Sequence, residues 1–423
     1  MRPLNPPAIY VTQRAAADPR CRARMERMLT QISGPPIEEI NDAQLAELIR
    51  DNDWGGPRQL SGDGDEADPP VLFNRFRWDA LDDEGRPTID LPGPGPAILH
   101  GFEPWCVRHH DHILATDGVC GQTAYELHSI LGCPFRCQYS SLESVLNVML
   151  DIEEFTEHVM RLVARAPQTL FKYDSHGDIF TFEPEYGSTA YLTERFGRQD
   201  RAYLMHCTKS GNVDHLLGLK HNGRSIICWT VSSLTVSRVV EHDAAPLEER
   251  VEAARRCQRA GYHVRFRFSP IFPLHNWREE YRHCIELLFS KVKPDVVSLL
   301  TPGGLPDYDD IARLFDRRLL DPEYLQAADE ARDETSGKAY GPLPDWVREE
   351  IYGFMVDEIK RVSPDTPVAI CLETPEMWEA LGDKLGQSPD DDVRGCGPDA
   401  TPDHPGLAAV SQCPPRECDP TTP

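Results

Sequence analysis

The rhythm of hydrophobic and polar positions changes near residue 122. Beyond it, short runs rich in β-branched and aromatic residues alternate with stretches of helical period, the pattern of βα units around a parallel sheet. The predicted strands are AYELHSIL (124–131), TLFKYDSH (169–176), AYLMHCTKS (202–210), SIICWTVSS (225–233), HVRFRFSPIF (263–272) and DVVSLLTPGG (295–304). Helices are predicted over 141–166, 211–222, 245–262 and 276–292, the third showing an apolar 3.6 period and a closing glycine. Right-handed crossovers between such strands curl the sheet into a partial or complete barrel.

Outside this region the pattern is looser. Residues 1–95 read as an N-terminal appendage: an amphipathic start, a polar run and a turn-rich linker. Residues 96–385 form the predicted barrel unit, with a helical insertion over about 305–365, then a short strand PVAICLE (367–373) and a helix PEMWEALG (375–382). The stretch 386–423, rich in Pro, Asp and Gly, is expected to be a disordered tail.

Composition narrows the function. The chain has 423 residues and a formal charge of -25, which disfavours a nucleic-acid partner, since phosphate binding relies on a basic surface. No run approaches the ~20 apolar residues of a membrane span, and the start MRPLNPPAIYVTQR lacks a signal peptide's apolar core, so a cytoplasmic location is expected. Thirteen scattered cysteines in a chain of this length suggest reduced thiols rather than a disulfide framework.

Candidate chemistry gathers at the strand ends, where βα folds place their active sites. The loop GCPFRCQYSS (132–141) after the first strand carries Cys133 and Cys137, with Ser140 where a further thiol would complete a Cys-x3-Cys-x2-Cys spacing. Three thiolates from one loop can hold a four-iron cluster with one iron open. WCVRHHDH (105–112) offers Cys106, His109, His110 and His112, but lacks a second half at zinc-finger spacing and reads as a polar loop. Arg265 and Arg267 alternate onto one face of the fifth strand, both pointing into the barrel or both out of it. Inward, they would clamp a carboxylate or phosphate. His176 is an acid–base candidate or a structural histidine.

With the loop, the segments TKSGNVDHLLGLKHNGR (208–224), EERVEAARRCQRAGY (248–262), SPIF (269–272) and Trp277 with EEYRH beyond it resemble the radical S-adenosylmethionine (SAM) superfamily. Within it they resemble the spore photoproduct lyase family, over Ile9 to about Leu381. The resemblance implies a partial (β/α)6 barrel, a [4Fe-4S] cluster on Cys133, Cys137 and Ser140, and SAM held by Ser175, Gly177, Asp178, Lys209 and Thr230. It further implies reductive cleavage of SAM to start radical chemistry, with a one-electron reductant such as flavodoxin or ferredoxin as partner. Arg265, Arg267 and His176 are then candidate contacts to an unidentified substrate. The family's donor cysteine and catalytic tyrosine align with Ser175 and Ser141, so photoproduct repair is not expected. Ser140 leaves three readings open: a labile or altered cluster held by Cys133, Cys137 and either Ser140 or another group, Cys120 being the nearest spare thiol; a degenerate SAM- or nucleotide-binding protein; or a Cys-to-Ser change in an ordinary enzyme.

Overall fold

The computed structural model describes residues 1–54, 67–80, 88, 100–101, 106–108, 125–140, 144–174, 177–302, 316–388, 393–397, 400–405 and 407. Ser141, Ser175, His176, Cys120, His109, His110 and His112 lie outside the described residues, as does 303–315 of the predicted insertion.

Two sheets organise the chain. The first five strands in chain order are β1 (Ile9–Thr12), β2 (Glu38–Ile40), β3 (Val71–Asn74), β4 (Cys106–Arg108) and β5 (Tyr125–Leu127). They are followed by β6 (Ile130–Leu131), β7 (Arg136–Cys137), β8 (Leu146–Met149), β9 (Leu170–Tyr173) and β10 (Tyr203–Thr208). The last are β11 (Ser225–Val231), β12 (Glu241–His242), β13 (His263–Phe268), β14 (Val297–Leu299) and β15 (Val368–Ile370). An eight-stranded sheet runs β15-β14-β13-β11-β10-β9-β5-β4, parallel except for the antiparallel β4–β5 edge. This is the curled half-barrel that the sequence pattern predicts, with PVAICLE joining as its far edge strand. The segment read as a polar loop at 105–112 supplies β4 at the other edge.

The residues called an appendage build a second sheet, β2-β1-β3-β8-β6. Its fourth strand, β8, falls within the stretch 141–166 predicted as one helix; the helix is confined to Ile152–Arg165. All four β8 residues are buried between β3 and β6, and Asn147 is satisfied by the Asn74 amide at 3.1 Å. A short apolar run buried on both faces carries no period that separates strand from helix. AYELHSIL likewise divides into β5 and β6, which join different sheets. The crossover is held by Asp174, whose carboxylate accepts the Ser129 and Ile130 N–H groups at 3.2 Å each.

The predicted helix at 211–222 is a series of turns. Asn212 donates its amide to the Phe180 and Glu183 carbonyls at 2.8 Å each, and its backbone N–H goes to the Ser210 hydroxyl at 3.0 Å. Such side-chain bonds compete with helix formation. Helices Leu247–Arg259, Trp277–Lys291, Asp345–Val362 and Pro375–Leu385 stand where the 3.6 period placed them. Gly395 and Ala400, within the stretch expected to be a tail, place their carbonyls on the Arg265 guanidinium at 2.7 and 2.5 Å. No helix among the described residues is long and apolar enough to cross a membrane.

Candidate active site

The loop after β6 turns sharply at Gly132, whose φ of +94° and whose closeness to Val145 leave no room for a side chain: a Cβ there would lie 2.1 Å from the Val145 carbonyl oxygen. Gly177, at the end of the β9 loop, packs against the same turn, since a Cβ on it would meet the Gly132 oxygen at 2.7 Å. These two close approaches bring the Cys133–Ser140 loop and the Gly177–Asp178 segment together over the barrel mouth.

They enclose one cavity of about 230 Å³. Cys133, Cys137 and Ser140 line one wall, and Gly177, Asp178, Lys209, Thr230 and Arg267 line the remainder, with Lys172 and Cys207 among their neighbours. Most described residues singled out in the sequence are therefore gathered in a single space. Arg265 is the exception. Its guanidinium is committed to Asp295 at 3.0 Å and to the Gly395 and Ala400 carbonyls, and it does not line the cavity. Arg265 thus serves as a structural tie, while Arg267, two residues along the same face, reaches the cavity.

The wall opposite the cysteines is pre-organised. Asp178 accepts the Lys209 backbone N–H at 2.6 Å and the Thr208 hydroxyl at 2.9 and 3.0 Å. Burial pushes the Asp178 carboxyl up to about 6, against the pull of those donors. Burial also raises the two loop thiols, Cys137 to about 11 with Lys209 opposing, and Cys133 higher still with Asp178 adding to the effect. A cationic centre at the loop would be needed to hold both as thiolates.

A buried charge pair that the sequence reading missed fixes the loop from behind. β7 and β12 pair antiparallel, setting Glu241 opposite Cys137. Glu241 receives Arg250 at 2.6 Å and the Tyr139 hydroxyl, and Lys209 Nζ stands 3.9 Å away and 5.2 Å from the Tyr139 ring centre. Arg250 also donates to the Thr230 carbonyl at 3.0 Å and the Ala245 carbonyl at 2.6 Å, so one guanidinium ties the cysteine loop to the β11 end. Burial would raise the Glu241 carboxyl, but Arg250 and then Lys209 outweigh it and leave it below the usual carboxylate range. One signal was present: Arg250 stands on the apolar stripe of its helix with Leu247, Val251 and Ala254, all buried.

Residues 114–302 match the family model of spore photoproduct lyase, and every described residue lining the cavity falls inside that span. This stretch is similar to the spore photoproduct lyase family. The spore photoproduct lyase of Bacillus subtilis (strain 168) is 30% identical over 180 residues, which are 41% of this chain and 53% of that protein. The Clostridium acetobutylicum protein is 26% identical over 179 residues, 40% of this chain and 52% of that one. The chain thus spans about half the length of the curated relatives it matches. The fold likeness extends further. A spore photoproduct lyase complexed with dinucleoside spore photoproduct superposes with a TM-score of 0.59 at 17% identity, covering 87% of this chain and 99% of that one. A mutant with bound AdoMet and the same dinucleoside gives 0.58 over the same shares. The curled half-barrel described above is thus a fold shared with these lyase structures.

Proposed function

We propose that the chain is a radical SAM-type enzyme that cleaves SAM reductively to begin radical chemistry on a substrate other than the DNA photoproduct. The observation that supports this reading is the shared cavity: Cys133, Cys137 and Ser140 face Gly177, Asp178, Lys209 and Thr230 across it. The donor set suits an iron–sulfur cluster at two positions and departs from it at the third, where a hydroxyl replaces a soft thiolate. Cys133 and Cys137 would anchor the cluster, with Ser140 as the weaker ligand. When bound, a reduced cluster supplies the electron that breaks the sulfonium bond of SAM.

The protein's own part is placement and charge. Lys209, held by its backbone on Asp178, would supply an ammonium for the SAM carboxylate, and Thr230 a hydroxyl. Ser175 remains a candidate SAM contact and His176 a candidate substrate contact; both lie outside the described residues. Arg267 would meet an anionic part of the substrate. A one-electron reductant is the implied partner.

Anaerobic reconstitution with iron and sulfide tests this. A brown protein carrying about four irons, which releases 5'-deoxyadenosine from SAM under reduction, is the expected result. A colourless protein that still binds SAM would instead establish a degenerate binding protein. Spore photoproduct in DNA should remain unrepaired by the reconstituted chain, because Ser141 and Ser175 stand at the donor positions and the net charge of -25 opposes duplex binding. Thymine recovery measured by chromatography, in a preparation free of authentic lyase, would overturn that expectation.

A further inference from the structure

The cavity floor holds chemistry that the cluster and SAM reading leaves unused. Cys207 on β10 and Cys228 on β11 are register partners in the parallel sheet, so their side chains leave the same face. Neighbouring strands run ~4.7–4.9 Å apart, inside the ~4.4–6.8 Å Cα separation that a disulfide accepts. Both thiols are free; Cys228 is buried, while Cys207 opens onto the cavity.

Their electrostatic setting is unusual for core cysteines. Lys172 and Arg267 line the cavity beside Cys207. Lys172 is paired with the buried Glu126, whereas the groups that bear on the Arg267 charge are thiols: Cys396, Cys207, Cys228 and Cys371. Among the described residues Arg267 makes no ion pair with a carboxylate. A half-buried guanidinium without a carboxylate partner favours an anion beside it, and a thiolate is the anion at hand. The neighbouring Cys228 thiol, and after it Lys172 and Arg267, hold the Cys207 thiol below its ordinary range against the effect of burial, while the Cys228 thiol is held above it.

We propose that Cys207 and Cys228 form a redox-active dithiol that exchanges with a low-molecular-weight disulfide entering the cavity. Cys207 is the attacking thiolate and Cys228 the resolving thiol. Cys207 bonds to one sulfur of the disulfide and releases the other as a thiol; Cys228 then displaces the second. The protein ends as a Cys207–Cys228 disulfide, and the two hydrogens of its thiols reside on the two small thiols released. The incoming disulfide is oxidant and no further reactant is needed. This inference does not depend on a cluster being bound.

The test uses the full chain without iron, exposed to 2-hydroxyethyl disulfide, quenched with iodoacetamide and peptide-mapped by mass spectrometry. Cys207–Cys228 should be the first disulfide to form, ahead of any at Cys133 or Cys137. Cys228→Ser should trap Cys207 as its mixed disulfide with 2-mercaptoethanol. Arg267→Gln should slow alkylation of Cys207 at neutral pH by about tenfold, the change that follows from raising a thiol pKa by about one unit. Circular dichroism establishes that both variants are folded. The proposal fails if Cys207 in the folded wild type stays a thiol, if its mixed disulfide persists with Cys228 present, or if it pairs instead with Cys371 or Cys396.

Discussion

Ser140→Cys should raise iron incorporation several-fold on anaerobic reconstitution. Ser140 lines the same cavity as Cys133 and Cys137, and its backbone N–H already donates to the Cys137 carbonyl at 2.9 Å, so the loop is folded around this position. The substitution exchanges one oxygen for sulfur without altering the turn. A thiol near pKa ~8.5 ionises readily beside a metal, whereas a hydroxyl does not, and iron–sulfur clusters favour the softer donor. Release of 5'-deoxyadenosine from SAM should rise in parallel, because uncoupled cleavage needs cluster, electron and SAM but no substrate. Cys133→Ala in the same background should remove both signals. A folded Ser140→Cys protein that gains neither iron nor cleavage would place the chain among SAM- or nucleotide-binding proteins that have lost the cluster.

Glu241→Gln should lower folding stability by about 3–5 kcal/mol, the usual cost of stranding one member of a buried ion pair. The Glu241 and Arg250 side chains are both fully buried, so a guanidinium left behind would lack a counter-charge. Urea denaturation measures the loss. A second substitution, Arg250→Met, should recover much of it by removing the stranded guanidinium, while the glutamine still accepts the Tyr139 hydroxyl. The pH dependence has a definite sign. Glu241 has a folded pKa below the ordinary 4.5, so its contribution is present above that value and is lost as pH falls through the lower folded one. The glutamine variant should lack this acid-side decline. Because Glu241 lies opposite Cys137, alkylation of Cys137 should also accelerate. A stable variant with an unchanged acid limb would show that the pair contributes little.

What the sequence by itself determined was the order of βα units and the identity of the strand-end residues. Period-2 and period-3.6 patterns are local, and six predicted strands, the late strand PVAICLE and the principal helices follow from them. The cysteine loop was legible for the same reason, as a short spacing next to a strand end. Tertiary structure alone decided the rest. Whether VLNVML is strand or helix depended on β3 and β6 on either side of it, since burial on both faces erases the period. Arg265 and Arg267 share one face, yet their depth along β13 gave one to Asp295 and the other to the cavity. The Glu241–Arg250 pair joins a short strand to the helix that follows it, and the Cys207–Cys228 pair joins adjacent strands. No local pattern encodes such pairs, because strand register and crossover packing set their separation.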